Sequence, residues 1–358
     1  MKKSVAMILI LTMLLTLCAC GQTTNKATHT EGTAPVASNK EIAGDEALPE
    51  EAQANPVTLK VAVKSSGTAA NSIATQMWCD AVNEADVGIE MLFYPDGQLG
   101  SETDVMQQII MGEPLIVNAE AGHLEPYAPE LGLMSGPYFV ESLDDFDLVV
   151  QTPWFADQME AVQNAGLYVV SADMHFGQRH LIATKEVRTP ADLAGLKIRS
   201  QPYETSLAMI EAMGGTPVPL AFSEIYEALS NGVVDGEENP LNTIYNAKHH
   251  ETKAKVVSLT GHQSNISLYV MNLGIYNSLT EQQQQVLSDT AREAFTYYNQ
   301  VLYPEATQEA IDAFAKQGVT VVEDVDIAAF KEATQTVYDL IDTEGVYDEV
   351  MAQIEALR

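Results

Sequence analysis

Alternating hydrophobic and polar positions, interspersed with apolar residues at helical spacing, predict an α/β protein. The first strand is expected at 57–63, followed by a helix, a strand at 89–94, a second helix and a third strand at 115–117. A single helix is predicted over 143–164, with Gly166 ending it and a buried strand directly after. Strands that alternate with helices in this way pair in parallel, with the helices as crossovers.

The second half of the chain continues this alternation, and a second lobe is predicted to begin near His180. A short strand there ends at Arg199, and the acidic segment 235–240 is interpreted as a strand-to-loop turn that leads into a helix. A helical run over 278–316 would be roughly 50 Å long. We expect it to span both lobes, with a kink at Pro304.

The N-terminal residues predict targeting rather than fold. Two lysines precede an apolar run at 5–17, which is short for a membrane span. The sequence Leu-Cys-Ala-Cys that ends at Cys20 resembles a bacterial lipobox, in which that cysteine is acylated and becomes the mature N-terminus. Acyl chains on Cys20 would anchor the protein to the membrane. The alternative is an ordinary secretion signal. Residues 21–56 show no apolar period and predict a flexible tether.

Composition narrows the possible partners. The formal net charge of −32 argues against nucleic acid, because phosphate binding needs clustered Lys and Arg. Cys79 is the single cysteine beyond the signal segment, and we expect a small buried hydrophobe there. His249, His250 and His262 lack the spacing of a metal site. No phosphate loop, dinucleotide fingerprint or nucleophile elbow is present, so we expect no metal, no cofactor and no enzyme.

Arginines are the most informative charged residues. The chain has five, and three of them fall within 179–199. Arg199 ends a short strand, where ligands of open α/β sheets bind, and its planar guanidinium can donate two parallel hydrogen bonds to a carboxylate. Arg199 is therefore predicted to hold an anionic ligand, with Arg179 and Asn239 assisting. The alternative for Arg199 is a surface salt bridge. The adjacent Glu237 and Glu238 are interpreted as turn residues, although paired carboxylates could also suggest acid–base chemistry.

Three aromatic residues occupy places where a cleft wall is expected. Tyr94, Tyr138 and Phe176 each lie at a predicted strand end or in a loop. They are candidate ligand contacts, with core packing as the open alternative.

The chain resembles a known family, the TRAP transporter solute-binding proteins of the DctP type. The resemblance covers nearly all of the chain after residue 56, in matching order and spacing. Three segments carry it, namely Tyr-Pro-x-Gly-Gln-Leu-Gly at 94–100, Thr-Pro-Ala-Asp-Leu-x-Gly-Leu-Lys-Ile-Arg at 189–199, and the run from Glu224 through Gly-Val-Val-Asp-Gly-x-Glu-Asn-Pro at 232–240.

This resemblance implies a two-lobed fold like that of type II periplasmic binding proteins, with a long helix spanning both lobes. The family delivers organic acids to a membrane permease driven by an ion gradient. By family position, Arg199 pairs with the ligand carboxylate, Arg179 lies at the lobe crossover, and Asn239 assists. The protein would then be an extracytoplasmic, lipid-anchored monomer whose partners are a small carboxylate-containing ligand and the TRAP permease subunits.

The expected lobes are 57–177 with 266–304, and 178–265 with 305–358. One departure concerns the first lobe, where some members place a basic residue after the Leu-Gly turn. Here that segment, 101–104, has no cation, and a second ligand carboxylate would lack a partner unless Lys64 reaches it. A monocarboxylate or hydroxy acid is therefore at least as consistent as a dicarboxylate.

Two rival functions stay open at this stage. One is a receptor for an ATP-driven importer, which would bind sugars or peptides in an aromatic-walled cleft without an essential arginine. The other is a cell-surface hydrolase that uses Glu237 or Glu238.

Overall fold

A single mixed β-sheet runs through the residues that the computed structural model describes, 56–342 and 345–358. Its nine strands follow the order β2-β1-β3-β8-β4-β7-β5-β6, with β9 beside β8. The strands are β1 Val57–Ala62, β2 Ile89–Tyr94, β3 Leu115–Glu120, β4 Leu167–Ala183, β5 Lys197–Ser200, β6 Thr216–Pro219, β7 Gly236–Pro240, β8 Val256–Asn272 and β9 Thr320–Val322. The α-helices are α1 Ala70–Glu84, α2 Glu102–Ile110, α3 Asp145–Val149, α4 Pro153–Asn164, α5 Glu204–Ala212, α6 Ile225–Asn231, α7 Leu241–Asn246, α8 Leu273–Ser278, α9 Glu281–Tyr297, α10 Tyr303–Lys316, α11 Ile327–Ile341 and α12 Tyr347–Leu357.

Two long antiparallel strands join the halves of this sheet. We call β1–β3 the first half and β5–β7 the second half; within each half the paired strands are parallel. β4 and β8, of 17 residues each, pair with one another across both halves. Their register shifts at several bulges, which bend and twist the pair. Gly177 pairs with Asn265 in this region, so the expected lobe boundaries fall opposite one another on the two crossing strands. The boundaries themselves stay a prediction.

Hydrophobic side chains cover both faces of the first half of the sheet. On β3, Val117 belongs to one core cluster and Ile116 to another, on the opposite face. The second cluster contains Trp78, whose ring packs edge-on against Tyr269 with a centroid distance of 5.2 Å. Two further clusters pack on the second half. Burial on both faces explains the apolar run at the start of β3, over 115–117.

The predicted long helical run is present. It consists of α9, one π-helical turn at Tyr298–Leu302, and α10, without a break from 281 to 316. Phe295 of α9 packs in a core of the first half, whereas Phe314 of α10 packs in a core of the second half. Pro304 lacks the N–H that would bond the carbonyl four residues earlier, and the π turn lies at that position. The run therefore spans both halves, as expected, with its irregular turn just before the proline.

One sequence prediction about helices is wrong in part. The single helix predicted over 143–164 is two helices, α3 and α4, because Thr152 caps α4 and Pro153 occupies its first position.

The last helix, α12, packs Val350 and Ile354 in a core cluster of the first half. The expected boundaries assign this helix to the second lobe, and that assignment stays a prediction.

The targeting segment, Cys20 and the tether lie outside the described residues. Within 56–342 and 345–358, no helix combines the length and the apolar character that a membrane span requires.

Candidate ligand-binding site

A buried ion pair joins β4 and β7 where the crossing strands meet the second half. Arg179 donates from Nε and Nη2 to the carboxylate of Glu238, with 2.9 Å between Nη2 and Oε1. Its Nη2 also donates to the Glu238 carbonyl at 2.7 Å, and its Nη1 lies 3.4 Å from Glu120 Oε2. Burial alone lowers the pKa of Arg179, but the carboxylates of Glu238 and Glu120 raise it overall. Protein groups therefore engage all three nitrogens of the Arg179 guanidinium.

A second buried cluster lies at the carboxyl ends of the first-half strands. Lys64, two residues after the end of β1, contacts Glu102 Oε1 at 2.6 Å and Glu120 Oε1 at 2.9 Å. Glu120 ends β3 and also accepts hydrogen bonds from Gln201, at 2.6 Å, and from Asn265. Burial raises the pKa of Glu102, but Lys64 outweighs it and lowers that pKa to about 2. Glu120 thus connects the first half, through Lys64, to the second half, through Gln201.

Arg199 differs from the other two buried cations. Its side chain is buried, with the residue only 2% exposed, and Nε donates to the Leu220 carbonyl at 3.0 Å. Among the described residues, no carboxylate forms an ion pair with it, whereas Arg179 and Lys64 each contact two glutamates. Burial lowers the pKa of Arg199. A buried guanidinium without a carboxylate is costly unless an anion joins it, so Arg199 is the position that an anionic ligand would complete.

Asn239 lies on the same face of the sheet as Arg199. Ile198 pairs with Gly236, so by strand alternation Arg199, Glu237 and Asn239 share the opposite face. Asn239 Nδ2 donates to Glu237 Oε2 at 2.6 Å, and His249 Nδ1 lies 2.8 Å from Glu237 Oε1. The local network thus orients the amide of Asn239 beside the strand that carries Arg199.

The interpretation of Glu237 and Glu238 as turn residues is wrong. Both lie in β7 and are fully buried, and each is paired, Glu237 with His249 and Glu238 with Arg179. Two adjacent acids suggest an exposed turn because a charge is rarely buried without a partner. Their partners lie 12 and 59 residues away along the chain, which local patterns do not reveal.

Of the predicted aromatic contacts, Phe176 lies beside Lys64, in the cluster that Lys64 forms with Glu102 and Glu120. Lys64 Nζ is 5.3 Å from the centroid of the buried Phe176 ring and 5.6 Å from that of Phe222. Tyr94 ends β2, where it pairs with Ala62. Tyr138 lies elsewhere, lining a cavity beside α11, and its hydroxyl donates to the Thr260 carbonyl at 3.1 Å. Ligand contact by any of the predicted residues stays a prediction.

Sequence reasoning missed several members of this site. Glu102, Glu120, Gln201 and Phe222 were not predicted to belong to it. Glu120 carried a usable signal, because it ends a parallel strand at the same edge of the sheet as Lys64.

Two cavities flank the contact between Lys64 and Phe222. One, of about 390 Å³, is lined by Lys64, residues of 97–104 and residues of 221–224. The other, of about 400 Å³, lies between the start of α1, helix α7 and helix α10. Beside this second cavity, Ser66 Oγ donates to Asn246 Oδ1 at 2.6 Å. The two halves therefore touch at Lys64–Phe222 and at Ser66–Asn246.

Cys79 is buried as predicted, and burial raises the pKa of its thiol to about 12. Within the described part of the chain, no group of three or more His, Cys, Asp or Glu side chains could hold a metal ion.

The buried glutamates make stability sensitive to acid. The pKa of Glu102 and that of Glu238 are each lowered to about 2 in the folded protein, so protons bind the unfolded chain more readily. The resulting stabilisation is present above the unfolded pKa, and it is lost as pH falls from about 5 towards 2. Burial and His262 lower the pKa of His180 to about 3. This shift also makes the folded protein less stable as the pH falls. We expect the melting temperature to fall steadily over this pH range.

Glu102→Gln isolates one contribution to that pH dependence. The variant should lose less stability than the parent between about pH 5 and pH 2. Glu90→Gln, at an exposed position near the start of β2, should keep the parental profile. Parallel profiles for Glu102→Gln and the parent would contradict the assignment.

Comparisons with known proteins identify the family of this chain. The family model of the bacterial extracellular solute-binding proteins, family 7, matches residues 62–344. The 2,3-diketo-L-gulonate-binding periplasmic protein of Escherichia coli is 28% identical over 278 residues, which is 77% of this chain and 84% of that protein.

Two solved structures, both described as TRAP periplasmic solute-binding proteins, share the fold. One, from Actinobacillus succinogenes with bound L-galactonate, has a TM-score of 0.79 and 32% identity, covering 84% of this chain and 100% of that one. Another, from Fusobacterium nucleatum with bound sn-glycerol-3-phosphate, has a TM-score of 0.80 and 29% identity, covering 84% and 98%. These matches confirm the predicted two-lobed α/β fold. The chain therefore belongs to family 7 of the bacterial extracellular solute-binding proteins, the extracytoplasmic solute receptors of TRAP transporters.

Proposed function

We propose that this receptor binds a small organic acid through its carboxylate at Arg199 and delivers it to the membrane permease subunits of a TRAP transporter. The observation that carries the proposal is the buried Arg199 guanidinium, which has no carboxylate partner among the described residues. A ligand carboxylate can accept two parallel hydrogen bonds from such a fork. Asn239, on the same face of the sheet, supplies a further polar contact.

Closure of the two halves supplies the rest of the mechanism. The ligand would enter while the cleft is open, and bending of β4 and β8 at their bulges would then bury it. The contacts Lys64–Phe222 and Ser66–Asn246 join the halves in the closed arrangement. An acyl group on Cys20 would keep the monomeric receptor at the membrane, close to the permease.

Neither rival function gains support from the site. The family consists of solute-binding proteins, and Glu237 and Glu238 are both buried and paired rather than free for acid–base chemistry. A sugar or peptide receptor without an essential arginine leaves the burial of Arg199 unexplained.

The proposal is tested by identifying what the purified protein retains. Mass spectrometry of released small molecules should find an organic acid. The same acid should raise the melting temperature with concentration, corresponding to about 2.7 kcal/mol at a hundredfold excess over Kd. Stoichiometric binding without product is expected. Release of a neutral sugar or a peptide, or turnover of the bound compound, would overturn the proposal.

A further inference from the structure

The ion pairs around the cleft leave one buried cation without a carboxylate. Three cations with buried side chains, Lys64, Arg179 and Arg199, lie among four buried carboxylates, of Glu102, Glu120, Glu237 and Glu238. Arg179 and Lys64 form ion pairs with three of these carboxylates, and His249 and Asn239 engage the fourth, Glu237. Of the three cations, Arg199 forms no ion pair with a carboxylate of the described residues, so a second anionic group on a ligand would find no unoccupied cation in this cluster.

The walls of the two cavities strengthen this charge asymmetry. The cavity beside α2 is lined by three carboxylates, of Glu102, Asp104 and Glu224, against the single ammonium of Lys64, which is already paired. The other cavity is lined by Glu305 and Glu309, with no lysine, arginine or histidine among its lining residues. A ligand that is fixed at Arg199 and extends into either cavity thus meets negative potential at its far end.

The remaining polar groups of these walls suit hydroxyls. The second cavity presents the side-chain hydroxyls and amides of Ser65, Ser66, Thr68, Asn71, Asn242 and Asn246. Hydroxyl groups donate to carboxylates and also accept from amides, without adding charge to the ligand. A second carboxylate would be repelled, and bringing like charges together costs several kcal/mol at a desolvated interface.

We propose that the ligand is a polyhydroxylated monocarboxylate and that Glu102 is the residue that discriminates against a second anionic group. This inference rests on the proposed function, since it takes the first carboxylate to lie at Arg199. Glu102 is suited to the role because it lines the cavity, is 7% exposed, and is held in place by Lys64. Lys64 holds the Glu102 carboxylate in its ionised form and in a fixed position, so Glu102 presents a negative charge and a hydrogen-bond acceptor to the cavity.

The test compares matched acids that differ by one charge. Aldonates of four to six carbons are titrated beside the aldarates of the same carbon chain and configuration, by calorimetry at low ionic strength. The parent should bind its preferred aldonate at least about tenfold more tightly than the matching aldarate. Glu102→Gln should reduce that ratio by about tenfold, because the repulsive charge is gone. The control Glu90→Gln removes the same charge at the exposed start of β2 and should leave the ratio unchanged.

Every other outcome contradicts the ligand class, the role of Glu102 or the proposed function. Tighter binding of an aldarate, of an acid without hydroxyl groups or of a zwitterion overturns the ligand class. An unchanged ratio in a folded Glu102→Gln variant overturns the role of Glu102; the ratio in the parent tests the charge count even if that variant fails to fold. If no acid binds, or if Arg199→Ala binds the acids as the parent does, the proposed function fails instead.

Discussion

Arg199→Ala is expected to weaken binding of the native acid by roughly 2–5 kcal/mol, or about thirtyfold to several thousandfold. The loss is large because the ligand carboxylate would still be desolvated on closure, without its charged partner. Isothermal titration calorimetry of the purified variant, with the acid released from the parent, measures this loss of affinity. The affinity of Arg199→Lys should lie between those of the parent and of Arg199→Ala, since an ammonium keeps the charge but cannot donate two parallel hydrogen bonds from one plane.

Arg188→Ala is the matched control for this prediction. Arg188 is exposed, and its ion pairs with Glu186 and Asp324 lie on the surface. Its replacement should leave affinity unchanged. Parental affinity in a correctly folded Arg199→Ala variant would exclude Arg199 as the carboxylate-binding residue.

Arg179→Met is expected to destabilise the fold by about 3–5 kcal/mol, because it leaves the carboxylate of Glu238 buried without its arginine and removes one of the two cations that contact Glu120. The melting temperature should fall by on the order of 10 °C. The double variant Arg179→Met/Glu238→Leu should recover part of this loss, since it removes the uncompensated charge. A melting temperature within about 2 °C of the parent for Arg179→Met would contradict the assignment.

The same variants separate two possible roles for Arg179. The family resemblance implies ligand contact, whereas the structure shows its guanidinium engaged by Glu238 and Glu120. If the folded double variant keeps most of its affinity for the acid, Arg179 positions the site without touching the ligand. If affinity is lost although stability recovers, the implied contact gains support.

Local patterns were sufficient to predict most of the strands and helices. Arg199 could be singled out as a candidate because it ends a predicted strand in an acidic chain and because its sequence element resembles a known family. Glu120 and Glu102 could not be placed, because their contacts with Lys64 depend on which strand ends and helix starts meet in space. Glu237 and Glu238 were misjudged for the same reason, since their partners lie on β4 and beyond α7.

The division and placement of the helices also depend on features that local patterns do not show. The boundary between α3 and α4 depends on the Thr152 cap, which a hydrophobic period does not show. The position of α12 depends on which core accepts Val350 and Ile354. Amphipathic helices near the end of a chain carry no local information about that choice.

The arrangement of β8 has a consequence for how the molecule is made. β8 lies between β3 and β4 in the sheet, although it follows them in the chain by more than seventy residues. A nascent chain that ends before residue 256 therefore lacks the strand on which both halves depend. The halves are not independent folding units, and the receptor must form in one late event with slow, long-range strand pairing. Expressing either half alone should give an unfolded, aggregation-prone chain.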